Sequence, residues 1–351
     1  MFKDIRLNKR QDQILDFVAQ NGTSSVSRIF EFFQRIENTS AKITINRDLR
    51  KLVDLELLVM KGAGRALVYE LSPQSLVSKE IDVEEYFKIE PDKREIKKSF
   101  NFNVFDELRG ILTNEEKVFL NNLNRSYQSK IKKLPPEIIK KEFERLTIEL
   151  SWKSSKIEGN TYSLLETEQL IKENHEAKNH SKEEAIMILN HKKTLDYLRN
   201  NLTEFKEISL KKIVEVHSLL VGDLNISKNV RKILVRITGT AYTPLDNKFQ
   251  INEALEATAV LVNKEKNPFT KAIMLMLLIA YIQPFIDGNK RTSRLMGNAI
   301  LLAHDCCPLS YRSIDELEYK KAVLLFYEQN NISYFKKLFL NQYKFVVENY
   351  F

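Results

Sequence analysis

The sequence predicts a mainly helical protein with a small α+β domain at its N-terminal end. From about residue 106 onward, long stretches repeat apolar residues with the 3.6-residue period of amphipathic helices, and strand patterns are nearly absent. Before residue 73, three shorter periodic segments precede two short apolar runs separated by glycines. The chain of 351 residues exceeds the ~100–200 residues typical of one domain, so we expect two domains.

The small domain, residues 1–73, begins with three predicted helices. Asn21-Gly22 is a typical end for the first helix, and Ser24 or Ser25 can cap the second. The third helix places Ile45, Leu49, Leu52 and Val53 on one face. A hairpin is predicted next, because two apolar strands flank the basic, glycine-rich residues 61–65.

Three helices and a hairpin resemble a winged helix-turn-helix domain, in which the third helix would enter the major groove of DNA. Cations and polar residues gather on the solvent side of that helix and at the hairpin tip, where phosphates would lie. These candidate DNA contacts are Lys42, Thr44, Asn46, Arg47, Arg50, Lys51 and Arg65. We therefore expect duplex DNA as a partner, with a protein-binding domain of the same shape as the alternative.

The rest of the chain divides into a linker and a helical domain. Residues 74–105 are charged and poorly periodic and contain Pro91, so we predict a linker there. The helical domain then covers residues 106–351, with its core at about 145–345. Within it, residues 231–246, called the flap segment below, alternate β-branched and polar residues around Gly239 and should form a short β-hairpin or a flap.

Composition limits the class of protein. A net charge of +8 and a pI near 9.1 suit an anionic partner. The two cysteines, Cys306 and Cys307, are adjacent and form no disulfide framework, so we expect buried thiols in a reducing compartment. No apolar run reaches the ~18 residues of a membrane span, and the first residues lack the apolar region of a signal peptide. We expect a cytoplasmic protein with no membrane partner.

The stretch QPFIDGNKRTSR, residues 283–294, combines features that bind phosphate. An apolar helix should end before Pro284, and a second helix should begin near Asn289. The loop between them therefore leads into a helix N-terminus, where free N–H groups attract anions. Gly288 allows close approach of a ligand, and Asp287 is an oxygen ligand suited to Mg²⁺. Three cations follow: Lys290, Arg291 and Arg294. The helix dipole disfavours cations there, so the cluster indicates a bound anion.

These residues resemble the Fic motif, HPFx[DE]GNGRxxR, of enzymes that transfer AMP to proteins, and every position except two matches. The resemblance implies the helical Fic fold and Mg²⁺ with ATP as the cofactor. The family's catalytic set corresponds to Gln283, Asp287, Asn289 and Arg291. The implied ligand contacts are Asp287 to the metal ion, Gly288, Asn289, Lys290, Arg291 and Arg294 to the phosphates, and Asn298 near the nucleotide.

A second pattern, SSKIEGN at residues 154–160, resembles the family's inhibitory motif, [ST]xxxE[GN], at Ser154, Glu158 and Gly159. The resemblance implies that Glu158 pairs with Arg294 and takes the place of the γ-phosphate, so that inhibition would be intramolecular. The flap segment corresponds to the family's target-docking hairpin, which aligns a partner segment by strand addition. Its candidate docking residues are Ile237, Thr238, Gly239 and Thr240.

Two positions depart from the Fic motif. Gln283 replaces the histidine that accepts the proton of the target hydroxyl, and an amide is no general base near pH 7, so a contribution of ~10²–10⁴-fold should be lost. Lys290 replaces a glycine, as in Doc-type phosphotransferases, which leaves transfer of the γ-phosphate open beside transfer of AMP. The histidines lie outside any matching motif and are predicted to be packing or surface residues: His175, His180, His191, His217 and His304.

The sequence therefore supports two classes of function. The first is an autoinhibited protein adenylyltransferase that modifies Ser, Thr or Tyr hydroxyls of a target protein and is attenuated by Gln283. The second is a DNA-bound regulator whose Fic domain senses nucleotide without catalysis, and a Doc-like phosphotransferase remains a further alternative. A homodimer is compatible with the sequence, which does not fix the oligomeric state.

Overall fold

The computed structural model of the chain describes residues 7–36 and 41–351. It is mainly helical, as the sequence predicts, with one antiparallel pair of strands among the described residues. The chain divides into two compact units. The first ends at residue 79 and also includes residues 106–113, and the second comprises residues 80–105 and 114–351.

The first unit contains helices and a hairpin in the predicted order. Its elements are α1 Lys9–Asn21, α2 Val26–Arg35, α3 Lys42–Asp54, β1 Leu58–Lys61, β2 Val68–Leu71 and α4 Pro73–Ser78. Ile14 and Leu49 are fully buried in its apolar core. Inside the unit, the buried carboxylate of Asp48 pairs with Arg10 and accepts a hydrogen bond from Gln11 Nε2 at 3.1 Å, so this buried charge is compensated.

Local sequence explains where these elements begin and end. Ser25 Oγ accepts the backbone N–H of Arg28, so Ser25 is the cap of α2 among the two serines that the sequence offered. Gly22 follows α1 with φ 67°, a left-handed value that glycine adopts without strain. The strands pair antiparallel with Leu58 opposite Leu71, and a 3₁₀ turn at Gly64–Ala66 lies at the tip.

Residues 80–105, within the predicted linker, belong to the second unit. They include α5 Val83–Lys88. Arg94 and Glu328 form an ion pair of 3.1 Å in which both side chains are almost fully buried. The ring of Phe100 stacks on that of Tyr281 with centroids 4.7 Å apart. The segment therefore packs on the helical unit, because side chains without local periodicity find partners more than 100 residues away in sequence.

The second unit is built from α-helices. The short α6 Val104–Glu107 spans the division of the chain at residue 106. The helices that follow it in the second unit are α7 Asn114–Ile131, α8 Pro136–Ile157, α9 Leu164–Glu173, α10 Lys182–Asn200, α11 Leu210–Leu220, α12 Lys248–Lys264, α13 Pro268–Ile282, α14 Asn289–Ala303, α15 Glu316–Gln329 and α16 Ser333–Asn349. Helices α13 and α14 lie at its centre, and every residue of α13 from Phe269 onward is buried. A Cβ on Gly297 of α14 would lie 2.5 Å from Met276 Cγ, so glycine permits the close approach of the two helices.

The flap segment forms no strand pair of its own, so the β-hairpin predicted at residues 231–246 is wrong. Thr238 and Gly239 make a turn. Thr243 instead forms an isolated parallel bridge with Ser99, and its N–H donates to the carbonyl oxygen of Lys98 at 2.8 Å. The alternating pattern reflects an extended chain whose partner is a distant segment, which sequence periodicity does not identify.

Two further expectations concern surface and compartment. Cys306 and Cys307 are buried free thiols, as predicted, and burial raises the pKa of Cys306 to about 12. Among the residues that the structure describes, no helix is both long and apolar enough to cross a bilayer.

Candidate functional site

Residues 283–288, called the motif loop below, connect the two central helices. Gln283 ends α13 with φ 50° and Gly288 precedes α14 with φ 78°, both left-handed. Asn289 closes the loop, because its Oδ1 accepts the N–H of Phe285 and its Nδ2 donates to the carbonyl of Phe285, both at 2.8 Å. The loop is thereby fixed at the N-terminus of α14, where unpaired backbone N–H groups attract anions.

Gln283 is 7% exposed and its side chain is held from two sides. Its Nε2 donates to the carbonyl of Ala280 at 2.6 Å and to the hydroxyl oxygen of Tyr327 at 3.1 Å. The side-chain nitrogen therefore supports the loop. Because an amide accepts no proton near neutral pH, Gln283 offers no general base at this position.

Asp287 presents a carboxylate to solvent, with 61% of its side chain exposed. Its Oδ1 accepts the N–H of Gly288 at 2.6 Å, and its Oδ2 lies 2.9 Å from an amino nitrogen of Arg291. Within the described ranges, no group of three or more His, Cys, Asp or Glu side chains could hold a metal ion. A single exposed carboxylate fits Mg²⁺, which keeps several waters and is bound by one or two carboxylates together with phosphate oxygens.

Arg291 and Arg294 are 2% and 0% exposed. Among the described residues, Nε and Nη1 of Arg291 and Nη1 of Arg294 have no hydrogen-bond partner. Each guanidinium has a carboxylate partner, Asp287 for Arg291 and Glu158 for Arg294. A buried N–H that lacks an acceptor still costs about 1–3 kcal/mol. The two side chains lie one turn apart on α14, so their free N–H groups favour an anionic ligand at the start of this helix.

Glu158 follows α8 and pairs with α14. Its Oε1 lies 2.9 Å from Nη2 of Arg294, which is the ion pair predicted from the sequence. Its Oε2 lies 2.9 Å from Nζ of Lys290. Burial would raise the pKa of Glu158, but the positive charges of Arg294 and Lys290 outweigh it and lower that pKa to about 2. The carboxylate is therefore ionised at neutral pH.

The other residues of the predicted inhibitory motif also meet Arg294 or shape the turn beside it. Ser154 Oγ accepts from Nε of Arg294, and the carbonyl of Ser154 accepts from Nη2, both at 2.9 Å. The guanidinium carbon lies 5.2 Å from the ring centroid of Tyr319, a cation–π contact. Gly159 turns the chain after Glu158 with φ 100°, a left-handed value that suits glycine. Arg294 is thus held rigidly.

Two buried histidines contact the residues of the two motifs. His191 Nε2 lies 2.8 Å from Ser154 Oγ, and the ring of His217 stacks on Phe285 with centroids 3.5 Å apart. Burial, reinforced by nearby arginines, lowers the pKa of His191 to about 3, and burial lowers that of His217 to about 4. Both rings are therefore neutral packing groups, as predicted, although no sequence signal placed them beside these motifs.

The side chain of Asn298 is bound to Leu309. It is fully buried, its Nδ2 donates to the carbonyl of Leu309 at 2.9 Å and its Oδ1 accepts the N–H of Leu309 at 2.8 Å. These bonds tie the amide to the chain that follows α14, and the position near the nucleotide implied for Asn298 stays a prediction. Spacing along a helix did not reveal that this turn faces the core.

Arg231 was missed by sequence reasoning and connects the flap segment to the motif loop. Its buried guanidinium donates to the carbonyls of Ile233 and Leu245 and to the carbonyl of Gln283, the last from Nε at 2.6 Å. Of the predicted docking residues Ile237, Thr238, Gly239 and Thr240, Gly239 is fixed by Arg94, which donates to its carbonyl at 3.2 Å. The flap segment is therefore anchored at its ends and at its turn.

The candidate DNA contacts belong to the first unit. On α3, Lys42, Arg47, Arg50 and Lys51 are exposed and Thr44 and Asn46 are half-buried, while Arg65 is exposed in the hairpin tip. The exposed cations among them make no ion pair with a described residue, whereas Lys61 pairs with Glu70. The opposite face of α3 buries Ile45, Leu49 and Leu52, as predicted.

The geometry defines a helical domain in which a rigid loop leads into the N-terminus of a central arginine-bearing helix. Residues 207–301 match the family model described as Fic/DOC family, so the chain carries a Fic/DOC family domain.

Curated relatives are similar over part of the chain. A protein named protein adenylyltransferase Fic from Drosophila grimshawi is 28% identical over 152 residues, which are 42% of this chain and 31% of the relative. One of the same name from Nematostella vectensis is 26% identical over 170 residues, or 47% of this chain and 40% of the relative. The chain thus spans less than half the length of these relatives.

Solved structures establish the fold. Fic-1 from C. elegans matches with a TM-score of 0.60 and 16% identity, covering 97% of this chain and 94% of that one. A Fic domain-containing signaling protein from Bacteroides thetaiotaomicron matches with a TM-score of 0.56 and 19% identity, covering 66% and 94%.

Proposed function

We propose that the helical unit is a protein adenylyltransferase domain that is autoinhibited by Glu158 and attenuated by Gln283. The observation that carries this proposal is the pair of buried arginines with free N–H groups beside an exposed carboxylate at the start of α14. This arrangement suits a polyphosphate with a divalent metal ion. The curated relatives named protein adenylyltransferase support AMP as the group that is transferred.

The residues present fit Mg²⁺ and ATP. Asp287 would hold the metal ion, which when bound neutralises charge on the phosphates. The backbone at Gly288 and Asn289 would surround the α-phosphate, since it lies at a helix N-terminus. Arg291 and Arg294 would hold the outer phosphates through their free N–H groups.

The chain's own groups would position the reaction but would not remove the proton. The rigid motif loop would orient the phosphates and exclude water from the buried arginines. A target hydroxyl would attack the α-phosphorus of ATP, the bond from that phosphorus to the β-phosphate oxygen would break, and pyrophosphate would leave. The hydroxyl would also lose its proton, for which the family uses the histidine that Gln283 replaces. We expect the missing base to cost ~10²–10⁴-fold in rate.

The test separates phosphate positioning from proton removal. The double variant Gln283→His, Glu158→Gly should label itself or a lysate protein from α-labelled ATP at least ~10²-fold more than Glu158→Gly alone. Asp287→Ala added to the double variant is the matched control and should abolish the label. Label from γ-labelled ATP alone would assign a Doc-like phosphotransferase through Lys290, and no label from either would exclude transfer.

A nucleotide-sensing regulator is the second candidate, favoured by the engagement of Gln283 Nε2 with Ala280 and Tyr327. We propose that such a regulator would bind duplex DNA through a winged helix-turn-helix in the first unit. Exposed, unpaired cations on α3 would contact phosphates, so affinity should fall steeply with salt.

The DNA test uses the full chain on a library of genomic fragments at low salt. Arg47→Ala and Arg50→Ala should each weaken binding and flatten its salt dependence, because each removes a phosphate contact. Lys9→Ala, which removes an exposed cation of α1, is the control and should change little. Equal losses from all three variants would point to nonspecific attraction, and no mobility shift would remove the assignment.

A further inference from the structure

We propose that Lys290 is a second cation that holds Glu158 in its inhibitory position, so that two ion pairs must break before the site is free. These two ion pairs, of Glu158 with Arg294 and of Glu158 with Lys290, are called the lock below. This inference rests on the proposed function for its meaning, although its contacts are independent of any nucleotide. The proposal assigns a regulatory role to Lys290, which stands where the Fic motif has a glycine.

The carboxylate of Glu158 is shared between two cations. Oε1 lies 2.9 Å from Arg294 and Oε2 lies 2.9 Å from Lys290. Each oxygen therefore has its own positive partner, and neither partner competes for the same lone pairs. A glycine at residue 290 would leave Oε2 without this charge.

The two contacts differ in burial and in freedom to move. Arg294 is fully buried and is also bound by Ser154 and Tyr319, so it has no room to leave. The Lys290 side chain is 28% exposed and that of Glu158 is 16% exposed. A lysine has a flexible stem and a compact charge, so its contact can open first. The lock thus has a fixed buried end and a mobile end toward solvent.

The same lysine would serve the ligand once the lock is open. Lys290 lies next to Arg291, whose free N–H groups would bind the outer phosphates. When a phosphate displaces the carboxylate of Glu158, the ammonium group of Lys290 can bind the phosphate from the same position. Removing Lys290 therefore has opposite effects on the locked site and on the open site. Ligands without outer phosphates would gain nothing from this exchange.

The first test measures the lock without nucleotide. Unfolding in urea of the full chain would be compared for the native protein, Lys290→Met, Glu158→Gln and the double variant. We expect the two substitutions to be non-additive by at least about fivefold in the unfolding equilibrium constant. Lys228→Met, which removes an exposed cation elsewhere in the unit, is the control and should be additive with Glu158→Gln. Additivity at Lys290 as well would overturn the proposal.

The second test uses calorimetry with ATP and AMP. Lys290→Met should weaken ATP binding at least about fivefold more in the Glu158→Gly background than in the native background. In the native background the substitution also removes one ion pair of the lock, and this gain partly offsets the lost phosphate contact. AMP affinity should be insensitive to Lys290. If unfolding shows the coupling but no variant binds ATP, the lock stands and the proposed function fails. If ATP binds but both cycles are additive, the lock fails and the function stands.

Discussion

The charge of Glu158 should stabilise the helical unit in a way that depends on pH. We consider Glu158→Gln, which keeps the shape of the side chain and removes its charge. Arg294 and Lys290 lower the pKa of this carboxyl from 4.5 to about 2 against the opposing effect of burial. Because this pKa is lowered by roughly 2.5, the charge stabilises the folded state by at most about 3 kcal/mol.

The sign follows from the direction of the shift. The pKa of the Glu158 carboxyl is lower in the folded state than in the unfolded chain. The stabilisation is therefore fully present at pH values above the unfolded pKa of 4.5. It decreases as pH falls toward the folded value of about 2. The native protein should therefore exceed Glu158→Gln by about 3 kcal/mol at pH 7 and by about half of that at pH 3.

The chain offers a local probe for this measurement. Its single tryptophan, Trp152, lies on α8, and its Nε1 donates to the carbonyl of Tyr162 at 3.0 Å. Urea unfolding followed by tryptophan fluorescence therefore reports on the unit that contains Glu158. Glu256→Gln, an exposed substitution on α12, is the matched control and should stay within about 0.5 kcal/mol of the native protein.

Two results would refute this reasoning. Equal stability of the native protein and Glu158→Gln at pH 7 would mean that the ion pairs contribute nothing beyond the cost of burying them. A constant difference between pH 7 and pH 3 would mean that packing or hydrogen bonding of the side chain, and not its charge, carries the effect.

Two other substitutions test positions that the fold explains. Asn298→Ala should lower the free energy of unfolding by about 2–3 kcal/mol, because it leaves the buried N–H and carbonyl of Leu309 without partners. Calorimetry should find its ATP affinity unchanged, and weaker ATP binding would instead support the nucleotide role implied for Asn298. Arg231→Lys should raise hydrogen exchange in residues 233–245, since a lysine cannot reach both ends of the segment; unchanged protection there would mean that Arg231 is no anchor.

Much of the fold follows from local sequence. The 3.6-residue period predicted the helices, and the capping residue Ser25 and the glycines near residues 61–65 predicted how α2 begins and where the hairpin turns. The motif loop was also predicted, because proline, Gly288 and the cations after it act within one loop and one helical turn. The pair of Glu158 and Arg294 came from the resemblance of two motifs, and the structure confirms the contact.

Other features depended on segments that are distant in sequence. The flap segment is extended, as its alternation suggests, but only tertiary packing decides that Thr243 pairs with Ser99 rather than with its own segment. The charged residues 80–105 gave no periodic signal, and Arg94 finds its buried partner Glu328 only in the folded unit. Asn298 follows the motif on α14, and only the packing of that helix shows that its amide binds Leu309.

The sequence by itself determined which residues are candidates for binding phosphate, because that prediction rests on side-chain chemistry and on the loop that precedes a helix. Only the tertiary structure decided which charges meet: Lys290 reaches Glu158 across 132 positions of the chain, and burial leaves N–H groups of Arg291 and Arg294 without partners among the described residues. Charge pairing and desolvation depend on distances in space, which a linear pattern does not contain.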